Sequence, residues 1–161
     1  MQTPEPARRA RPERRSRAPR PARAVPNVAG WDGRIAWVAA LVLTLSPFMD
    51  WYSATSPNGL TYSVTGWHTG ALGKLVFFVG LVTLILEALR ETGIELPASV
   101  PERLVLVGLG ALAVIFTLIR LISVPDTYFA STGRGIGVVV AFLAALALLA
   151  AGLLRSADDL A

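Results

Sequence analysis

An all-α bundle of four transmembrane helices is the fold class this sequence predicts, and three observations predict it. Of its 161 residues, 53% are hydrophobic and only 16% charged, too few charges for an ordinary soluble domain. The apolar residues gather in four blocks, each of about 17 to 25 residues and so long enough as a helix to cross a hydrocarbon core of roughly 30 Å. Lysine and arginine are spread unevenly around those blocks, as they are when loops alternate between two sides of a membrane. The length accommodates one helical domain, 31–156, between an N-terminal tail, 1–30, and a short C-terminal tail, 157–161.

The N-terminal tail is built from arginine, proline and alanine, with six of the chain's eleven prolines. A segment with so few large apolar side chains cannot offset the entropy of ordering, which predicts disorder. Its cations are Arg8, Arg9, Arg11, Arg14, Arg15, Arg17, Arg20 and Arg23, against Glu5 and Glu13, a net charge of +6; the remaining 131 residues carry seven basic and nine acidic groups, or −2. Two readings fit this tail. It holds the N-terminus in the cytoplasm by the positive-inside rule, or it also binds anionic lipid headgroups. No aromatic interleaving or folded module points to nucleic acid. The long basic lead and the lack of a small-residue cleavage pattern argue against a cleaved signal peptide.

The first helix is expected over 34–50, with Asp32 as its cap and Pro47 bending or stopping it near Ser46. The second is expected over 71–90, with Lys74 near its outer end, Glu87 reaching the inner interface and Gly93 as the stop. Ser99, Pro101 and Glu102 form a capping-box pattern that starts the third helix, 102–122, which Pro125 and Asp126 close. The fourth is expected over 134–154, with a frayed tail beyond Arg155. Arg34, Arg90, Arg103 and Arg155 then fall on the side of the N-terminal tail, and Lys74, Arg120 and Arg134 on the other. This puts both termini in the cytoplasm of a multi-pass cell-membrane protein.

The connection from Ser46 to Gly73 holds most of the unusual chemistry. Trp51, Tyr52 and Trp67 are expected at headgroup level, as an aromatic belt and as the wall of any outer site. Pro57-Asn58-Gly59 signals a turn, and Leu60, Tyr62 and Val64 alternate with polar residues as in a half-buried strand. A short β-hairpin over the helix ends and an irregular loop packing the same aromatics both satisfy this pattern.

An antiparallel bundle brings Asp50, His68, Lys74, Arg120 and Arg134 to a similar depth. Arg120, flanked by Ile119, Leu121 and Ile122, needs a partner there. The nearby carboxylate predicts an ion pair from Asp50 to Arg120 or Arg134. Two readings of this layer remain open: a structural clasp that fixes the outer loop, or a site for an anion, headgroup or small ligand with the cations as donors. Gly133, Gly137, Ala141 and Ala145 recur at intervals of four, a smooth stripe suited to helix packing within the chain or between copies.

The chain has no cysteine, which removes disulfides, thiolate metal sites and cysteine nucleophiles. No metalloprotease, nucleophile-elbow or phosphate-loop motif appears, so no enzyme activity, cofactor or metal is expected. Three function classes follow: a structural or accessory cell-envelope subunit recognising a partner or lipid, a sensor or binding module for an anionic ligand, and an oligomeric channel or transporter subunit. Thr44, Thr83 and Thr117 alone offer mid-helix polarity, which disfavours the third class.

The outer PFMDWYS followed by SVTGWHTG, in a chain rich in arginine, alanine and proline with a single lysine, resembles small four-helix membrane proteins of high-GC actinobacteria. The resemblance covers about residues 35 to 155. It implies the four-helix topology and brings no activity. In architecture alone, four helices with a large first outer loop are also similar to claudin-like proteins, whose tryptophan and cysteine signature is absent here.

Overall fold

A computed structural model describes residues 31–93, 102–123 and 133–158. The expected disordered tail, the Ser99 capping box and the Pro125-Asp126 stop lie outside the described residues, as does the side chain of Asp32. Four helices and a small sheet are present among them: α1 (Trp31–Leu45), β1 (Asp50–Thr55), β2 (Thr61–Thr65), α2 (Ala71–Glu91), α3 (Glu102–Ile122), β3 (Gly133–Arg134) and α4 (Ile136–Asp158). α2, α3 and α4 are long and apolar enough to cross a membrane. α1 is shorter, about 22 Å at the helical rise. A 3-10 turn, Ser46–Phe48, continues it by about 6 Å.

Each helix contacts two others, so the four close into a ring, with α3 and α4 the most extensively packed pair. The core is made of small and branched residues, including Ala36, Ala40, Leu43, Val76, Ala113, Val138, Ala141, Ala145 and Leu148. Glycines let backbones approach where helices cross. A Cβ on Gly110 would lie 2.7 Å from Leu149 Cα, and one on Gly152 3.0 Å from the Val107 amide nitrogen. The outward faces are apolar too, with Val38, Leu41, Val82, Ile85, Leu112, Ile115, Val139, Leu143 and Leu146 all exposed.

Pro47 acts as the sequence analysis expects, but the consequence is larger. α1 ends at Leu45 instead of reaching Asp50, and the chain leaves the 3-10 turn at Met49 in an extended conformation and enters β1. The hairpin is present, in place of an irregular loop. Thr55 faces Thr61 and Tyr52 faces Val64 across antiparallel β1 and β2, and Gly59, at φ +79°, supplies the left-handed residue of the turn.

The third strand was not expected. Gly133 and Arg134 pair with Ser53 and Tyr52, giving the order β2-β1-β3, so α4 starts at Ile136, two residues later than the sequence suggests. Its start is fixed by the Gly135 amide, which donates to the Trp51 carbonyl at 2.7 Å. At the other end α4 continues through Asp158, past the frayed tail expected after Arg155. The fold is therefore all-helical only in its bundle; a three-stranded sheet covers one end of it.

Gly110→Ala should push α3 from α4 and lower stability by about 1–3 kcal/mol, whereas Gly108→Ala, whose Cβ would meet nothing within 4 Å, should not. Thermal unfolding of the two variants in detergent compares them directly.

Candidate functional site

Asp50, His68, Lys74, Arg120 and Arg134 come to the sheet end of the bundle, yet they do not converge on one another. Among the described residues Asp50 forms no ion pair with Arg120 or Arg134; it is exposed at the start of β1. Both arginines turn to main-chain carbonyls instead. Arg120 Nη2 donates to Thr69 O, where the chain enters α2, and Arg134 Nε donates to Leu121 O.

This arrangement follows from how a helix ends. The last carbonyls of α3 have no amide partner within the helix and carry its negative dipole end. The Tyr52 hydroxyl donates to the Arg120 carbonyl at 2.9 Å and Arg134 covers that of Leu121, so strands β1 and β3 cap α3. A cation is favoured there by the dipole as well as by the hydrogen bond, which removes the need for a carboxylate partner. Arg120 Nε is buried without a hydrogen-bond partner among the described residues.

Trp51 and Tyr52, expected as an interfacial belt and wall, are instead fully buried. The β1–β2 register is irregular between Asp50 and Tyr52, which leaves Trp51 as an extra residue and breaks the simple alternation of side chains there, and both rings meet helix ends. The Trp51 indole lies over Gly66 and Gly137, and its N–H donates to Ser46 O at 2.8 Å. Tyr52 reaches the end of α3. Gly137, Ala141 and Ala145 of the small-residue stripe are buried, whereas Gly133 belongs to β3 and is exposed, so the stripe loses its first member.

Trp67 is separated from Trp51 and joins a different aromatic group. Its ring stacks on Phe48 at 5.5 Å and meets Phe77 edge-on at 5.4 Å, and Phe77 meets Phe78 at 5.4 Å. Phe48 and Phe78 are exposed. The exposed Lys74 ammonium sits 5.7 Å from the Trp67 ring centre, within range of a cation–π contact. His68 is exposed and its Nδ1 lies 2.9 Å from the Thr65 hydroxyl. Phe48, Phe77 and Phe78 went unremarked in the sequence because their side chains look like ordinary span residues.

The most fully enclosed charges lie at the opposite end. Glu87 of α2 is buried, with 4% of its surface exposed, and does not extend to the inner interface as expected. Arg155 of α4 grips it through both nitrogens, Nη1 to Oε1 at 3.0 Å and Nη2 to Oε2 at 3.3 Å. Arg155 also lies 3.7 Å from Glu102 of α3, which Arg90 of α2 approaches at 3.6 Å. Three helices are thus joined by one network. Its signal in the sequence was a lone carboxylate inside an apolar helix, which needs a cation at equal depth.

The threonines of the helix interiors are satisfied within their own helices. Thr44, Thr83 and Thr117 donate to the carbonyls of Ala40, Val79 and Ala113 at 2.7, 2.8 and 2.7 Å. Among the described residues no group of three or more His, Asp or Glu side chains is disposed to hold a metal. In comparison with known proteins, no family model, curated protein or solved structure matches the chain, so the geometry carries the functional reading.

Glu87→Gln removes the charge that compensates Arg155 and should cost about 3–5 kcal/mol. Exchanging the pair, Glu87→Arg with Arg155→Glu, should recover part of that loss in thermal unfolding. Burial pushes the Tyr52 phenol above its ordinary 10.0, against the opposing pull of Arg120 and Arg134. The folded state then holds the proton more tightly, so Tyr52 contributes fully below pH 10.0, and its contribution is lost as pH rises above that value. Tyr52→Phe should cost about 1–2 kcal/mol at neutral pH and remove this alkaline component from the melting profile.

Proposed function

We propose that the chain is a multi-pass membrane protein, crossing the bilayer four times with both termini cytoplasmic, and that its sheet-capped end recognises a membrane partner or lipid headgroups at the outer face. In this reading it is a structural or accessory subunit of the cell envelope. The observation that carries it is the aromatic ladder Phe48-Trp67-Phe77-Phe78 with Lys74 above it, at the border between the apolar helix surface and the polar sheet. Amphipathic rings and a cation at such a border suit the headgroup level of a bilayer.

Three further features support the reading. α2, α3 and α4 have the length and composition of membrane spans, and α1 with its 3-10 turn reaches about 28 Å, close to a hydrocarbon thickness. Helices apolar on outward and inward faces alike fit a lipid surround better than water. The ladder rings sit beside the sheet, Phe48 and Trp67 on the 3-10 turns Ser46–Phe48 and Gly66–His68 that flank β1 and β2 and the others on α2, and buried Trp51 and Tyr52 tie that sheet to the bundle. Arg120 and Arg134 are engaged with carbonyls, which favours recognition through the rings over an anion sensor built on these two cations.

Because the chain has no native cysteine, Asn58→Cys and Ala157→Cys report the two ends separately. In intact cells an impermeant maleimide should label the first and reach the second only after permeabilisation; equal labelling of both from one side would end the spanning model. Phe48→Ala with Trp67→Ala should keep the wild-type fold but lose a stoichiometric companion cross-linked in native membranes. Retention of that companion by the double variant would show that the ladder is not the contact.

A further inference from the structure

Between α1 and α4 runs an apolar groove of about 480 Å³, within the size range of small-molecule sites. Val38 and Val42 line it from α1 and Val140 and Ala144 from α4, while Trp31 and Arg34 stand at one mouth. Ala144 is nearly buried in its floor, whereas Val38 and Trp31 are exposed along its opening, so the groove is accessible from the side. Its walls present almost no polar group apart from the arginine at its end.

The dimensions and charge suggest an occupant. From Trp31 to Val42 the helix advances about 16 Å, half of a hydrocarbon core of roughly 30 Å, which is the depth of one leaflet. Arg34 is exposed, and among the described residues no carboxylate pairs with it. Arg8 to Arg23 add eight cations in the sequence just before this mouth. The chain's own tail is a poor filler, because Met1, Val25 and Val28 are its only large apolar side chains. A molecule with a long apolar part and an anionic head matches both features.

We propose that this groove holds one acyl chain of an anionic phospholipid from the cytoplasmic leaflet, with the lipid phosphate against the Arg34 guanidinium and the Trp31 indole. The inference rests on the membrane-spanning reading and assigns a lipid site at the end opposite the aromatic ladder. The groove supplies the hydrophobic part of the affinity, and Arg34 makes it selective for a negative headgroup.

The test uses the full chain in a neutral maltoside detergent, with melting temperature followed against added phosphatidylglycerol, phosphatidylcholine or inorganic phosphate. Phosphatidylglycerol should bind roughly fivefold more tightly than phosphatidylcholine, as expected for one added cation near a headgroup. Arg34→Gln should abolish that preference while leaving the common stabilisation. Val38→Trp, which fills the groove from its exposed side, should abolish stabilisation by both lipids; Leu41→Trp, exposed on α1 outside the groove, should abolish neither. Equal response to the two lipids in the wild type, an unchanged response in Val38→Trp, or an equal effect of phosphate alone would each overturn the proposal. So would a lipid-independent dimer that Val38→Trp dissolves, since the occupant would then be a second copy. Alkaline carbonate extraction is run alongside. A chain released from membranes fails the spanning reading itself, whereas a retained chain without the lipid preference fails only the groove.

Discussion

The fold depends on laying a strand across the open ends of helices without stranding its polar groups. β1 does this by burying two large aromatic side chains, each against a different helix end. Trp51 goes down onto the end of α1, returning its indole proton to the carbonyl of Ser46, and Tyr52 goes to the end of α3, where its hydroxyl meets the carbonyl of Arg120. Buried polar groups are costly unless paired, so these two hydrogen bonds make the burial of both rings affordable and fix the sheet on the bundle. The close approach of Gly66 and Gly137 to the Trp51 ring leaves no room for a side chain at either position.

The two ends of the bundle handle charge differently. At the sheet end, cations meet main-chain carbonyls, Arg134 at the negative end of the α3 dipole and Arg120 at the carbonyl of Thr69 before α2. At the other end a carboxylate and a guanidinium are both withdrawn from solvent and must neutralise each other, which Glu87 and Arg155 do with a two-point contact. The first arrangement ties loops to helix ends. The second ties α2 to α4 and, through Glu102, to α3. Between these layers the buried threonine hydroxyls of the described helix interiors are bonded within their own helices, and besides them α1 holds the buried, unpartnered indole nitrogen of Trp37, which together leave the described residues without an evident polar path.

The proposed activities occupy surfaces that this construction leaves outward. The aromatic ladder on the sheet side and the α1–α4 groove on the other are both apolar regions with a cation beside them, Lys74 in one and Arg34 in the other. Both suit the border between hydrocarbon and headgroup. Neither proposed contact requires the bundle to open.

By itself, the sequence determined the span-like character of the helices and much of the loop. The third helix occupies the expected residues, because an apolar run of helical length is a local property. The turn at Pro57-Asn58-Gly59 and the strand after it were legible for the same reason, but the expected half-burial was not met, because Leu60 and Tyr62 are exposed and burial along β2 does not alternate. Tertiary structure decided the rest. The burial of Trp51 and Tyr52, the β3 pairing of Gly133 and Arg134, and the preference of Arg120 and Arg134 for carbonyls over Asp50 depend on residues 50 to 134 being brought together. The Glu87–Arg155 pair joins groups 68 positions apart. Periodicity and caps are written within a few residues of where they act, whereas the partner of a charge or the lid over an aromatic ring exists only once distant helix ends meet.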